Sequence, residues 1–354
     1  MQLHGKGQSV NKQLEIIGRP QTISNISYVQ YLNKNSEMIL ISELHNISCT
    51  YPILESVIKE NLVNGYRYII QEMPLSYSIV CNQYLENGDT SLLNIISASE
   101  EAKEFYKHIR SFSLQNSATI KPKFWGIDFE LGQTRIKYIR AAISILLTKF
   151  SYNTEIQQIL KKILAKDNIE EIKILRSELG HLLNQNSNPN TTSDEGLNLL
   201  RLFVNRNDEY FKHRDTQLYQ NFKEIDSLLR KRDFSPKYIG SFGVAHVNTS
   251  LKNSFSGILS NDPYWENKIN VIGTHYYQCI SNYGLKKETV VNDIGVLPKS
   301  ISKSVPRQIV NQQSPHLLLA QPSSSTLLKP KLNYSLILIM FNYPGETKNV
   351  QRIN

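Results

Sequence analysis

Four short blocks of the 354-residue sequence combine side chains that can move protons or hold a cation. They are Ser42-Glu43-Leu44-His45-Asn46, Gln71-Glu72-Met73-Pro74, Gly126-Ile127-Asp128 and Gly243-Val244-Ala245-His246. Two carboxylates and two imidazoles brought together do one of two jobs. They bind a divalent metal, or they activate water through a hydrogen-bonded general base. In Glu43-x-His45, residues two apart on an extended backbone point the same way, so both side chains would face one pocket. Each residue taken alone has a plainer role. His45 would serve as a loop or capping histidine, and Glu72 and Asp128 as acids at helix starts. The argument for chemistry is their coincidence at four separate strand ends, with Glu43, His45, Glu72 and His246 as the catalytic set. Asp128 and Arg214 are expected to bind substrate. Arg214-Asp215 is read on a helix from about Gly196 to Arg232, either as a fork for an anion or oxyanion or as an ion pair fixing that helix.

The elements that must position these groups follow from apolar spacing. Met38 to Ser42 is a short apolar run, followed by Ile53, Leu54, Val57 and Ile58 on one helical face. After the stop Asn64-Gly65, Tyr66 to Gln71 reads as a second strand, and the crossover is long enough for parallel pairing. Lys123 to Ile127 predicts a third strand, with a helix over Thr134 to Leu147 behind it. Residues 152–232 read as a helical insertion interrupted by a polar surface loop from Asn184 to Gly196. Tyr238 to Val244 and Lys268 to Gly273 resume the strand pattern. The expected fold is α/β, a mainly parallel sheet flanked by helices. The expected organisation is a catalytic-type domain over 1–290 and a tail over 291–354. That tail contains a Ser/Pro/Gln-rich, flexible linker from about Gly295 to Pro330, and Leu336 to Phe341 as a terminal strand or partner-binding segment.

Composition narrows the classes. Apolar residues make up 40% and charged residues 20%, which is globular composition. The net charge is +9, yet no run of five basic residues occurs, so no nucleic-acid groove is expected. Arg230, Lys231 and Arg232 are read as cations completing a helix C-terminus. No stretch reaches the apolar length of a membrane span, and the N-terminus lacks a secretory core. Cytoplasmic location, or export without a standard signal, is the expectation. The three cysteines Cys49, Cys81 and Cys279 form no CxxC pair, and are read as ordinary buried thiols in a reducing compartment.

At these residues the chain resembles the superfamily of erythromycin esterases, haem-binding ChaN proteins, TIKI proteases and the Ras/Rap-specific endopeptidase domains of bacterial toxins. The resemblance lies in ILISELHN, IIQEMP, HRDTQLYQN and GSFGVAHV, which appear in the superfamily's order. It implies a parallel sheet with Glu43, His45, Glu72 and His246 catalytic, and water polarised for attack on an ester or amide carbonyl. Ser42 stands where a glycine is usual, the first pair is E-x-H rather than E-x-x-H, and Gly243 replaces an extra histidine. Those departures point toward the ChaN, TIKI and toxin-peptidase branch, and so toward a bacterial effector. The implied function is hydrolysis of a peptide, protein or ester substrate. The alternative is a binding protein that holds haem or another small ligand without chemistry. A divalent metal, if one is used, would fall to Glu43, His45, Glu72 and His246.

Overall fold

The structure, a computed structural model, describes residues 14–22, 28–45, 47, 49–116, 121–185, 194–206, 213–248, 251–281, 289–292, 316–322 and 336–341. In chain order its first half holds β1 (Leu14–Thr22), β2 (Met38–Glu43), α1 (Thr50–Leu62), β3 (Tyr68–Pro74), α2 (Leu75–Asn87), α3 (Leu93–Ile96), α4 (Glu100–Gln115) and β4 (Lys123–Asp128). Then come α5 (Ile136–Lys149), α6 (Thr154–Leu164), α7 (Ile169–Gln185), α8 (Glu195–Asn205) and α9 (Arg214–Arg230). The second half closes with β5 (Tyr238–Gly243), α10 (Val244–Val247), α11 (Phe255–Asn261), β6 (Ile269–Ser281), β7 (Thr289–Asn292), β8 (His316–Pro322) and β9 (Leu336–Phe341).

Among the described residues, nine strands join one sheet in the order β1-β8-β9-β6-β2-β5-β3-β4, with β7 beside the end of β6. From β9 to β4 neighbouring strands run parallel, while β8, β1 and β7 pair antiparallel. Every residue of β5 and nearly every residue of β2 is buried, as expected for strands covered on both faces. The helices supply that cover with the apolar faces read from the sequence. Ile53, Leu54, Val57 and Ile58 are buried on α1, and Ile136, Ile139, Ile143 and Leu146 on α5. Polar caps start several helices: Ser99 Oγ accepts from the amide of Ala102, Asn153 Oδ1 from that of Ile156, and Asp194 Oδ1 from that of Leu197. Gly65, in the turn leading from α1 towards β3, has a φ of +86°, a conformation glycine adopts without strain.

Several expectations change. The helix drawn from Gly196 to Arg232 is two helices, since α8 ends at Asn205 and α9 begins at Arg214. The helical region between β3 and β4, and strands β1, β7 and β8, left no pattern singled out in the sequence. Within the stretch read as a tail, the described parts are strands. β9 lies parallel to β6 and β8 antiparallel to β9, so of the two readings of LILIMF the terminal strand is the one seen. The expected loop from Asn184 to Gly196 lies mostly outside the described residues.

The cysteines need a correction. Cys49 and Cys279 form a disulfide, with Cα atoms 6.0 Å apart across 230 residues of sequence, and Cys81 alone is free and buried. Cys49 begins α1 just past β2, and Cys279 lies on β6, the strand beside β2. Strand adjacency brings the two sulfurs together, and cysteine spacing carries no trace of it.

Candidate active site

The strand order sets β2, β5, β3 and β4 side by side, so their carboxyl ends, the usual place for ligands in open α/β sheets, form one edge. Glu43 ends β2, Gly243 ends β5, and Asp128 ends β4. Glu72 lies where the β3–β4 register shifts between Gln71 and Pro74, a bulge that turns its side chain. Gly126 permits the bulge, because a Cβ there would come 2.0 Å from the carbonyl oxygen of Pro74. His246 sits on the helical turn α10 directly after β5.

Glu72 is the hub. Its Oε1 lies 2.7 Å from Arg214 Nη2 and 3.3 Å from His246 Nε2. Its Oε2 accepts a hydrogen bond from the Gly243 amide at 2.9 Å and lies 3.7 Å from His45 Nε2. Burial alone would raise this carboxyl. The hydrogen bond and charge of His246, the charge of Arg214 and the Gly243 amide overcome that and bring it to about 2.

His246 is held from its other side by Asp215, whose Oδ1 is 2.6 Å from Nδ1. The same oxygen accepts from the amide of Phe255, the first residue of α11. Burial opposes protonation of His246, but hydrogen bonds and charges from Asp215 and Glu72 prevail and raise it to about 9. It is an imidazolium at neutral pH. Arg214 Nη1 lies 3.5 Å from His246 Nε2, a like-charge neighbour that the two carboxylates outweigh.

His45 occupies the open side, with half of its side chain exposed, at 52%. Its Nδ1 is 3.1 Å from Glu43 Oε1, and that hydrogen bond raises the ring above the ordinary histidine value. Glu43 is itself fixed, since Ser241 Oγ donates to its Oε2 at 2.7 Å. Thr50 Oγ1 donates to the carbonyl of Leu44 at 3.2 Å and lies 3.0 Å from the Tyr276 hydroxyl, so the segment bearing His45 is pinned to β6. A Cβ on Gly243 would stand 3.1 Å from His45 Nε2 and 3.3 Å from Glu72 Oε2. The absent side chain leaves that gap open.

Asp128 is buried beneath this layer. It takes a two-pronged bond from Arg214, Nε to Oδ1 at 3.2 Å and Nη2 to Oδ2 at 2.9 Å, and a third from Arg135 Nη2 at 2.7 Å. The Arg135 guanidinium lies over the Phe129 ring, 3.5 Å from its centroid.

All six residues singled out from the sequence therefore meet, directly or through Glu72 and Arg214, in one constellation. Sequence reading gave no role to Arg135 and Ser241, and none to Asp215 as the partner of His246. Asp215 was within view as the neighbour of Arg214. Placing the pair mid-helix hid its role, since successive residues there diverge by about 100°. At the first turn of α9 both reach the sheet edge. Glu72 and His246 spend their polar atoms on protein partners, and no three His, Cys, Asp or Glu side chains among the described residues converge to hold a metal. The set as built does not fit a divalent ion.

No protein-family model matches the sequence, and neither does any curated protein. Solved structures do match. A Bacillus cereus protein, 12% identical, superposes with a TM-score of 0.57 over 91% of this chain and 94% of its own. A succinoglycan biosynthesis protein, also 12% identical, gives 0.54 over 87% and 88%. The chain shares the fold of these structures. A variant of an erythromycin esterase in its open conformation is 11% identical, with a TM-score of 0.49 over 88% of this chain and 91% of that one. At such identities the likeness is one of architecture, and it spans nearly the full length of each pair. Among the described residues, no helix is long and apolar enough to cross a membrane.

Proposed function

We propose that this chain is a hydrolase that attacks an ester or amide carbonyl with water activated by His45. One observation carries the reading. His45 spends Nδ1 on Glu43 and turns Nε2 toward Glu72 from a half-exposed position. A water held beside His45 Nε2 and the Glu72 carboxylate would be polarised by the more exposed of the two imidazoles. His246 does not compete for that task, because a group raised to about 9 is already protonated at neutral pH.

The residues then take distinct parts. His45 Nε2 accepts a proton from water while the water oxygen bonds to the carbonyl carbon. The oxyanion that forms is balanced by the Arg214 guanidinium and the His246 imidazolium. The carbon–oxygen or carbon–nitrogen bond breaks as His246 Nε2 donates its proton to the leaving group. After product leaves, His45 gives its proton to solvent water and His246 takes one back from it, which resets both, while Glu72 stays a carboxylate between them. Asp215 keeps His246 charged, and Asp128 and Arg135 hold Arg214 in place. Asp128 is thus a positioning residue rather than a substrate contact. No step runs through a metal.

A peptide, protein or ester is the substrate class this chemistry serves. Purified protein should hydrolyse members of an ester and peptide panel, and His45→Gln should lose turnover while keeping its circular dichroism spectrum. Turnover that survives His45→Gln rejects the assignment. In the ligand-holding alternative the iron would fall to His45 Nε2, since His246 has a carboxylate at each nitrogen. A Soret band on haem addition, with no hydrolysis in the panel, would favour it.

A further inference from the structure

At the edge of the sheet opposite the candidate site, the chain presents an aromatic ring to water on a basic ledge. Phe234 is 99% exposed, yet the turn that carries it is held. The amides of Arg232 and Asp233 both donate to Leu229 O at 2.8 Å. Asp233 then accepts from the Ser235 amide at 3.2 Å and from the Tyr68 hydroxyl at 3.1 Å. The ring is presented by a fixed scaffold, without a side chain to pack on.

The cations around it are arranged by the strands. Lys237, Arg67 and Lys123 stand at the amino ends of β5, β3 and β4, and their backbones are bonded in that order. The Arg67 amide donates to Lys237 O at 3.2 Å, and the Lys123 amide to Arg67 O at 2.9 Å. Lys231, Arg232 and Lys121 are exposed beside them. The acids on this edge are tied: Asp233 as described, Glu195 to Lys123 Nζ at 2.5 Å, and Glu37, before β2, to Arg230 and Lys268. Val63, 58% exposed where α1 turns toward β3, adds a second apolar group on the same edge.

We infer that this edge docks on an anionic bilayer. Cations spread over three neighbouring strand starts match a plane of anionic headgroups. Phe234 and Val63 offer no hydrogen bond to a partner surface but gain by entering the boundary between headgroup and acyl chain. The chain would lie on the membrane without spanning it. The candidate site, at the opposite edge, would then open away from the bilayer toward substrate in water. This inference does not depend on the hydrolase reading.

The test is sedimentation of the full chain with phosphatidylglycerol-containing vesicles and with pure phosphatidylcholine vesicles. Binding should require the anionic lipid and weaken with salt. Phe234→Ala should lower partitioning about tenfold, the scale for withdrawing one large apolar side chain from such an interface. Arg67→Glu with Lys237→Glu should abolish it, and both variants should keep the wild-type melting temperature. The native tryptophans, Trp125 and Trp265, are buried. In Phe234→Trp, a blue shift on anionic vesicles therefore reports the tip itself. Three results would each overturn the inference: no sedimentation with either vesicle, equal binding to both, or an unshifted Phe234→Trp spectrum. Displacement from vesicles by a nucleic-acid oligomer that binds more tightly would also overturn it and assign the ledge to a polyanion instead.

Discussion

Asp215 and His246 lie 31 residues apart in the chain and 2.6 Å apart in space, and with Glu72 that bond raises His246 to about 9. One oxygen of Asp215 bridges the imidazole and the first amide of α11, so the carboxylate is anchored independently of its partner. His246 can therefore change charge without losing its place.

Asp215→Asn should keep the hydrogen bond to the Phe255 amide but remove the negative charge. The pKa of His246 should fall from about 9 toward the ordinary value of 6.5. Turnover at neutral pH should drop by about 10²- to 10⁴-fold, the usual scale for general acid–base catalysis. A two-dimensional NMR titration of the imidazole carbons, read beside the rate, checks both. An unmoved His246 pKa would reject the pairing.

Gly243→Ala should lower turnover with little loss of stability. Its methyl group would press on His45 Nε2 and Glu72 Oε2, where the structure leaves 3.1 and 3.3 Å. The space for the attacking water is lost while the sheet is untouched. Steady-state kinetics and a thermal melt on the same preparation separate the two effects.

The pH dependence has a definite sign. His45 is raised by its bond to Glu43, so the rate should climb as the ring loses its proton above the ordinary histidine value of 6.5. It should fall again near pH 9 as His246 loses its own. Stability follows the Glu72–His246 pair. The histidine's share is complete below pH 6.5 and is lost as pH rises through about 9. The share of Glu72 is present above its ordinary value of 4.5 and is lost as pH falls toward about 2. Denaturant melts across the range should show a plateau between these limits.

The disulfide predicts a stability cost. Cys49→Ser with Cys279→Ser releases a loop of 230 residues, and the loss should be about 3–5 kcal/mol. It should also loosen the segment that carries His45, so turnover should fall more than KM rises. Intact mass under non-reducing and reducing conditions checks the bond directly. A chain with three alkylatable thiols without reductant would contradict it.

The α/β class, the strands over Met38, Tyr68, Lys123 and Tyr238, and the helices over Ile53 and Ile139 were legible because burial imposes a period on apolar residues. So was the placing of Glu43 and Asp128 at strand ends, since chemistry-bearing types there interrupt apolar runs, whereas Glu72 lies inside β3 at its bulge. Tertiary structure alone decided which groups touch. Strand order β6-β2-β5-β3-β4 is not sequence order, and it makes Glu72 a neighbour of Gly243 and sets Cys279 on β6 near Cys49 after β2. The break that starts α9 at Arg214 turns Asp215 toward His246. Leu336 to Phe341 was open as a terminal strand and is β9, whereas β8 was hidden because its apolar run lies in a Ser/Pro/Gln-rich stretch that composition reads as linker. Local spacing records how each element is buried, and the contacts between distant elements record how they are assembled.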